Sequence, residues 1–133
     1  MDKALEETIR HRAGGVCEYC RMPEAVHPSP FQIDHVIAQQ HHGATDAGNL
    51  AWSCLRCNSH KGPNLSGYDW ETGEVVRLFN PRRDDWTLHF QWDGPYLRGR
   101  TQIGCVTIDV LTINHPSYVE LRASLIAEGV FPA

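Results

Sequence analysis

Residues 17–62 read CEYCRMPEAVHPSPFQIDHVIAQQHHGATDAGNLAWSCLRCNSHKG, and the fold turns on this stretch. It opens on one Cys-x-x-Cys pair, Cys17 with Cys20. After 33 intervening residues it reaches a second, Cys54 with Cys57. A two-residue gap lets both thiolates of a tight knuckle face one ion, and two knuckles complete a tetrahedral shell with Zn–S bonds of about 2.3 Å. Such a shell has no open position for a substrate, so the zinc is expected to be structural. In a small domain its binding also supplies folding free energy. Two unrelated buried or redox-active pairs are the alternative, although a polar segment bracketed by both pairs favours a shared ion. Cys105, the fifth cysteine, falls among apolar neighbours and is expected in the core.

Working outward, the 133 residues fit one modest core, and 41% apolar with 21% charged residues argues against disorder. No apolar run approaches the roughly 20 residues that span a membrane. Met1-Asp2-Lys3 leads into a charged segment without a signal-peptide core, so a cytoplasmic protein is expected, where cysteines serve metals more often than disulfides. Eight histidines lean the same way. The net charge of −4 counts against a nucleic-acid partner, since phosphate binding usually leaves a basic footprint; a bound divalent ion offsets this locally.

Residues 3–13 place Leu5, Ile9 and Ala13 on one helical stripe, stopped by Gly14-Gly15. Residues 22–30, with three prolines, read as loop. Residues 31–37 read as a strand with Phe31, Ile33 and His35 on one face and Asp34 and Val36 on the other. A polar loop over 38–48 leads to a second strand over 49–52, and a short helix runs from Cys54 toward Lys61, ending near Gly62-Pro63. Further on, a turn around Glu71-Thr72-Gly73 is flanked by Tyr68, Trp70, Val75 and Val76. Residues 86–92 alternate as a strand before an Asp93-Gly94 hairpin turn. Thr101 caps a helix bearing Ile103, Val106, Val110 and Leu111. Pro116 breaks it, and Ser117 caps a last helix with Val119, Leu121, Leu125 and Ile126. The pattern predicts one α+β domain, with a core over 17–62 and a hairpin-and-helix extension over 63–133.

Inside the cysteine frame, Asp34-His35 ends the first strand, Asn49 follows His35 by fourteen residues, and Asn58 follows Asn49 by nine. With the two Cys-x-x-Cys pairs, this string resembles the HNH endonuclease family (the ββα-metal or His-Me finger nucleases) in its zinc-stapled, stand-alone bacterial or phage form. The resemblance implies a metal-dependent endonuclease that hydrolyses DNA phosphodiester bonds, nicking one strand per site. It implies Asp34 and Asn58 as ligands of the catalytic ion, His35 as general base, and Asn49 as the residue that holds the inter-strand loop and so orients His35. Hard oxygen ligands suit Mg²⁺ or Mn²⁺, and an imidazole of ordinary pKa near 6.5 can take a proton from water near neutrality. Family members with three imidazole ligands carry a second histidine four residues after the first helix ligand. Gly62 stands there in this chain, which implies a two-ligand Asp/Asn site.

For DNA contact the candidates are Lys61 at the end of the metal helix, His60, Arg82 and Arg83, against solvated or helix-terminal roles for each. His41 and His42 are expected to face solvent. The stretch FNPRRDDWTLHFQW more loosely resembles a segment of stand-alone bacterial HNH proteins. Trp70, Trp86 and Trp92 are expected in the core. Monomer and homodimer are both compatible, a dimer allowing double-strand cuts. A zinc-stabilised DNA-binding module without cleavage is the competing reading, and it leaves the Asp34-His35…Asn58 set without a purpose.

Overall fold

The computed structural model describes residues 1–132. Helix α1 (Lys3–Arg12) is opened by the Asp2 carboxylate, which accepts from Ala4 N at 2.9 Å. Its stripe buries Ile9 and Ala13 with Leu5 packed beside them. Gly14 and Gly15 then adopt φ +66° and +81°, backbone that glycine takes without steric cost, and the chain reverses into the first knuckle. Arg12, in the last turn of α1, donates to the carbonyls of Ala47 (2.8 Å) and Leu50 (2.6 Å) and so ties the helix to the segment entering the second strand.

Strands β1 (Gln32–His35) and β2 (Leu50–Ser53) pair antiparallel, with Ile33 opposite Trp52 and Asp34 opposite Ala51. β1 is shorter than the expected 31–37, for a visible reason. Val36 N still reaches a backbone acceptor on Asn49, but Ile37 N is taken by the Asn49 side chain, which ends the ladder. Helix α2 (Leu55–Lys61) begins at Cys54, whose sulfur accepts from Cys57 N, and closes at Gly62 with φ +49°. This ββα unit is the front of the molecule.

Behind it stand two more hairpins. β3 (Ser66–Asp69) pairs with β4 (Glu74–Arg77), and β5 (Phe90–Asp93) with β6 (Tyr96–Gly99). Residues 86–89, read from the sequence as strand, are instead the short helix α3 (Trp86–His89). Asp85 caps its first turn by accepting from Thr87 N at 3.1 Å, a local bond that outweighs the alternation. The Asp93–Tyr96 pairing moves the hairpin turn to Gly94-Pro95. Helix α4 (Gln102–Val110), capped by Thr101 as expected, packs on β3, β4 and β6 at close range. A Cβ on Gly67 would sit 2.5 Å from Val106 Cγ1, and one on Gly99 would sit 2.4 Å from Cys105 N. The last helix, α5 (Pro116–Ala127), is capped by His115 rather than Ser117. Pro116 therefore starts this helix at its first position, where its missing N–H is no loss.

Two core assignments are corrected. Cys105 is exposed: it lies at the edge of the α4–β6 contact, its sulfur 3.7 Å from Gly99 O and open to solvent rather than in the core. Trp70 is 84% exposed: it leaves β3 into the turn, and the one buried face of that hairpin is filled by Gly67 and Val76 against α4. Trp86 is buried and Trp92 packs against the core. Among the described residues, no helix is long and apolar enough to cross a membrane.

Candidate active site and metal centre

The four cysteines of the two knuckles meet. Their sulfurs lie within 4.8 Å of one another, all four residues are fully buried, and Cys20 Sγ is 3.8 Å from Cys54 Sγ. Tetrahedral Zn–S bonds of about 2.3 Å place sulfurs roughly 3.8 Å apart. The four thiols are thus positioned to bind one metal ion, with soft donors that suit zinc. Burial works against ionising Cys17, but hydrogen bonds from Cys20, Cys54 and Cys57 hold its thiol well below the ordinary range. Tyr118 of α5 adds a hydroxyl 3.9 Å from Cys54 Sγ, and its own oxygen lies 2.8 Å from His27 Nε2.

The residues inside the first knuckle lace it to the rest of the site, and sequence reasoning gave neither of them a role. Glu18 accepts from Trp52 N on β2 at 2.7 Å and pairs with Arg82. Tyr19 sends its hydroxyl to Asp34 Oδ2 at 2.5 Å, while its carbonyl accepts from Trp86 Nε1 at 2.8 Å. Their partners, Asp34, Trp52, Arg82 and Trp86, lie at least 15 residues away in sequence, so no local signal marked either residue.

Asp34 and Asn58 lie on facing elements. On β1, Gln32 and Asp34 share a face; on α2, Asn58 and Lys61 share one by their three-residue spacing. The two faces are joined by two rungs. Asn58 Nδ2 donates to Gln32 Oε1 at 2.5 Å, and Lys61 Nζ donates to Asp34 Oδ1 at 3.2 Å and to the His35 carbonyl at 3.1 Å. Asp34 is 4% exposed and Lys61 2%. Burial pushes the Asp34 carboxyl up, opposed by the Lys61 charge and the Tyr19 hydrogen bond. The expectation that Lys61 reaches a phosphate is therefore corrected: its ammonium is sequestered against Asp34.

His35 ends β1, and its ring reaches the loop between the strands. Nε2 is 2.9 Å from Thr45 Oγ1, in the loop between the strands. Asn49 spans that loop with three bonds. Its Oδ1 accepts from Ile37 N at 2.9 Å, and its Nδ2 donates to the carbonyls of Ile37 (3.0 Å) and Ala44 (2.9 Å). Gly43 lies so close beneath that a Cβ there would stand 1.7 Å from Ile37 O. The structure thus brings Asp34 and Asn58 to one interface and holds the His35 ring, next along β1, against Thr45 of the loop.

The remaining contact candidates separate. His60 is exposed, with Nδ1 3.1 Å from Arg56 O, and His41 and His42 are exposed in the loop. Arg82 is engaged by Glu18 and only 13% exposed, so it is removed from the surface set; Arg83 is exposed. A cleft of about 330 Å³ beside Val36, Ile37 and Lys61 is bordered by Arg77 and Arg83. A larger depression of about 1000 Å³ runs along α1 and touches none of the site residues.

With that geometry in place, comparison with protein families gives one match: residues 17–64 fit the family described as HNH endonuclease. The segment matches the HNH endonuclease family. The match spans about a third of the chain, starting at the first knuckle cysteine and ending three residues beyond Lys61. The matched segment contains both knuckles, β1, β2, α2 and every residue of the Asp34, His35, Asn49 and Asn58 set. No curated protein and no solved structure matches the chain.

Proposed function

We propose that this protein is an endonuclease that hydrolyses phosphodiester bonds in DNA, one strand per HNH domain, with a structural zinc ion at the four cysteines. The observation that carries the reading is the HNH match over a segment in which Asp34 and Asn58 line facing surfaces of β1 and α2, fixed behind by the thiol cluster.

The donor set fits a second, hard divalent ion. The Asn58 amide uses Nδ2 on Gln32, which leaves its carbonyl oxygen for ligation, and each Asp34 oxygen takes one hydrogen bond and keeps a lone pair. Mg²⁺ or Mn²⁺ held by these two side chains would supply Lewis-acid stabilisation of the scissile phosphate and the departing 3′ oxygen. His35 is the general base. In the tautomer that donates Nε2–H to Thr45, Nδ1 is the atom that accepts a proton from water. Asn49 keeps the 37–44 loop, and with it Thr45, in place under that ring. Arg83, at the edge of the cleft beside Lys61, is the favoured phosphate contact, and His60 is a second exposed one. Residues 17–62 carry the chemistry, and the described residues 63–132 brace it. A homodimer would cut both strands where a monomer nicks, and the setting is cytoplasmic.

The test is nicking of supercoiled plasmid by zinc-loaded protein with Mg²⁺ or Mn²⁺. Wild type converts the plasmid to open circles, and His35→Ala abolishes this with zinc content and circular dichroism unchanged. Equal nicking by both proteins would remove His35 as base. Binding of DNA by wild type without any cleavage would favour a zinc-stabilised binding module.

A further inference from the structure

The β3–β4 hairpin carries aromatic side chains that neither the core nor the nuclease site uses. Trp70 is 84% exposed, with its ring 4.5 Å from that of Tyr68 in an edge-on arrangement, and Val75, across the ladder from Tyr68, is 73% exposed. A groove of about 550 Å³ runs between this hairpin and α4, walled by Tyr68, Trp70, Cys105 and Val106. Every charged side chain lining it is acidic: Asp69, Glu71 and Asp109. The walls are pinned, because Gln102 Nε2 on α4 lies within hydrogen-bond reach of Asp69 Oδ2 (3.0 Å), Thr72 Oγ1 (3.1 Å) and Glu74 Oε1 (2.9 Å) at the hairpin end. The Gln102 hydrogen bond also holds the Asp69 carboxyl below its usual range, so it is charged at neutral pH.

A pair of π faces beside fixed carboxylates suits an ammonium or guanidinium, which gains from both. The same carboxylates repel phosphate, so the groove does not extend a DNA track. We propose that the groove between β3–β4 and α4 docks a basic segment of a partner polypeptide, with a lysine or arginine side chain seated on the Trp70–Tyr68 pair and facing Asp69, Glu71 and Asp109. The groove shares no lining residue with the HNH site, so a polypeptide here and a nucleic acid there can be held together.

The probe is a fluorescein-labelled dodecapeptide of alternating lysine and arginine, titrated into zinc-loaded full-length protein in low salt. The expected result is saturable 1:1 binding that weakens about tenfold or more in Trp70→Ala and similarly in the Glu71→Gln/Asp109→Asn double variant. Saturating peptide should also slow maleimide labelling of Cys105, the cysteine outside the thiol cluster, by about tenfold. Trp70→Ala is a surface change, and its plasmid nicking should equal that of wild type. No saturable binding, equal affinity for wild type and Trp70→Ala, or unchanged Cys105 labelling would overturn the proposal. So would Trp70-dependent self-association in sedimentation velocity, or protection of Cys105 by an oligothymidine in place of the peptide, since these assign the face to a second copy or to nucleic acid.

Discussion

Replacing Lys61 with methionine tests the β1–α2 interface most sharply, because the change keeps most of the buried stem and deletes only the charge. In wild type the ammonium lies 3.2 Å from Asp34 Oδ1, with the two side chains 2% and 4% exposed. Removing one member of so buried a pair strands the other, at a cost of about 3–5 kcal/mol. The variant has one escape, protonation of Asp34, whose carboxyl burial already pushes up. Holding a carboxyl neutral costs about 1.4 kcal/mol for each pH unit above its unfolded pKa near 3.9, or roughly 4 kcal/mol at pH 7. The sign follows: with its folded pKa raised, Asp34 in Lys61→Met favours the native state at low pH and loses that advantage as pH climbs. Urea unfolding of wild type and variant, zinc-loaded and followed by tryptophan fluorescence, should therefore show a deficit near 3–4 kcal/mol at pH 7. The deficit should shrink by about 1.4 kcal/mol per unit toward pH 5.5. A deficit below 1 kcal/mol at pH 7, or one that ignores pH, would refute the argument that this pair is closed off from solvent.

Other outcomes follow from the same contacts. Cys54→Ala should lose zinc by metal analysis and unfold the domain, since the thiol cluster joins β2, α2 and the first knuckle; a folded, zinc-free, active variant would contradict the structural role. Asn49→Ala removes three hydrogen bonds across the 37–44 loop. It should cost about 1–3 kcal/mol and raise hydrogen exchange at Ile37 and Thr45, with the thiol cluster untouched. Asp84, gripped by both arms of Arg77 at 2.8 and 3.0 Å, is held below the usual carboxylate range by that pairing. Its contribution is full above about pH 4 and is lost only as pH falls through the lowered value. Asp84→Asn should therefore cost about 1 kcal/mol, the same at pH 6 and pH 8 in thermal melts.

The HNH domain was legible because its signals are covalent in spacing: two Cys-x-x-Cys pairs, an Asp-His at a strand end, and asparagines at fixed offsets all fall where the ββα unit needs them. Asn49 stands at such an offset, and its side chain makes three bonds to Ile37 and Ala44 across the loop. Lys61 and Arg82 illustrate the limit. Each was offered to DNA as a phosphate contact, and each has its counter-charge, Asp34 or Glu18, from a segment at least 27 residues away in sequence that no local pattern announces. Tyr19 was invisible for the same reason. Behind the HNH domain the periodicities were weaker. Residues 86–89 alternate like a strand yet coil because Asp85 caps them, and Trp70 was assigned inward from its size alone, although small Gly67 already occupies the face that α4 covers.

The proposed function requires two chemically different metals, one on sulfur and one on oxygen. Crystals of zinc-loaded protein soaked in Mn²⁺ and measured on either side of both absorption edges would test it. The expected map shows a zinc peak among Cys17, Cys20, Cys54 and Cys57, and a separate manganese peak bonded to Asp34 and Asn58 with Lys61 displaced or reoriented. Manganese absent from that interface, with Asp34 still paired to Lys61, would contradict it.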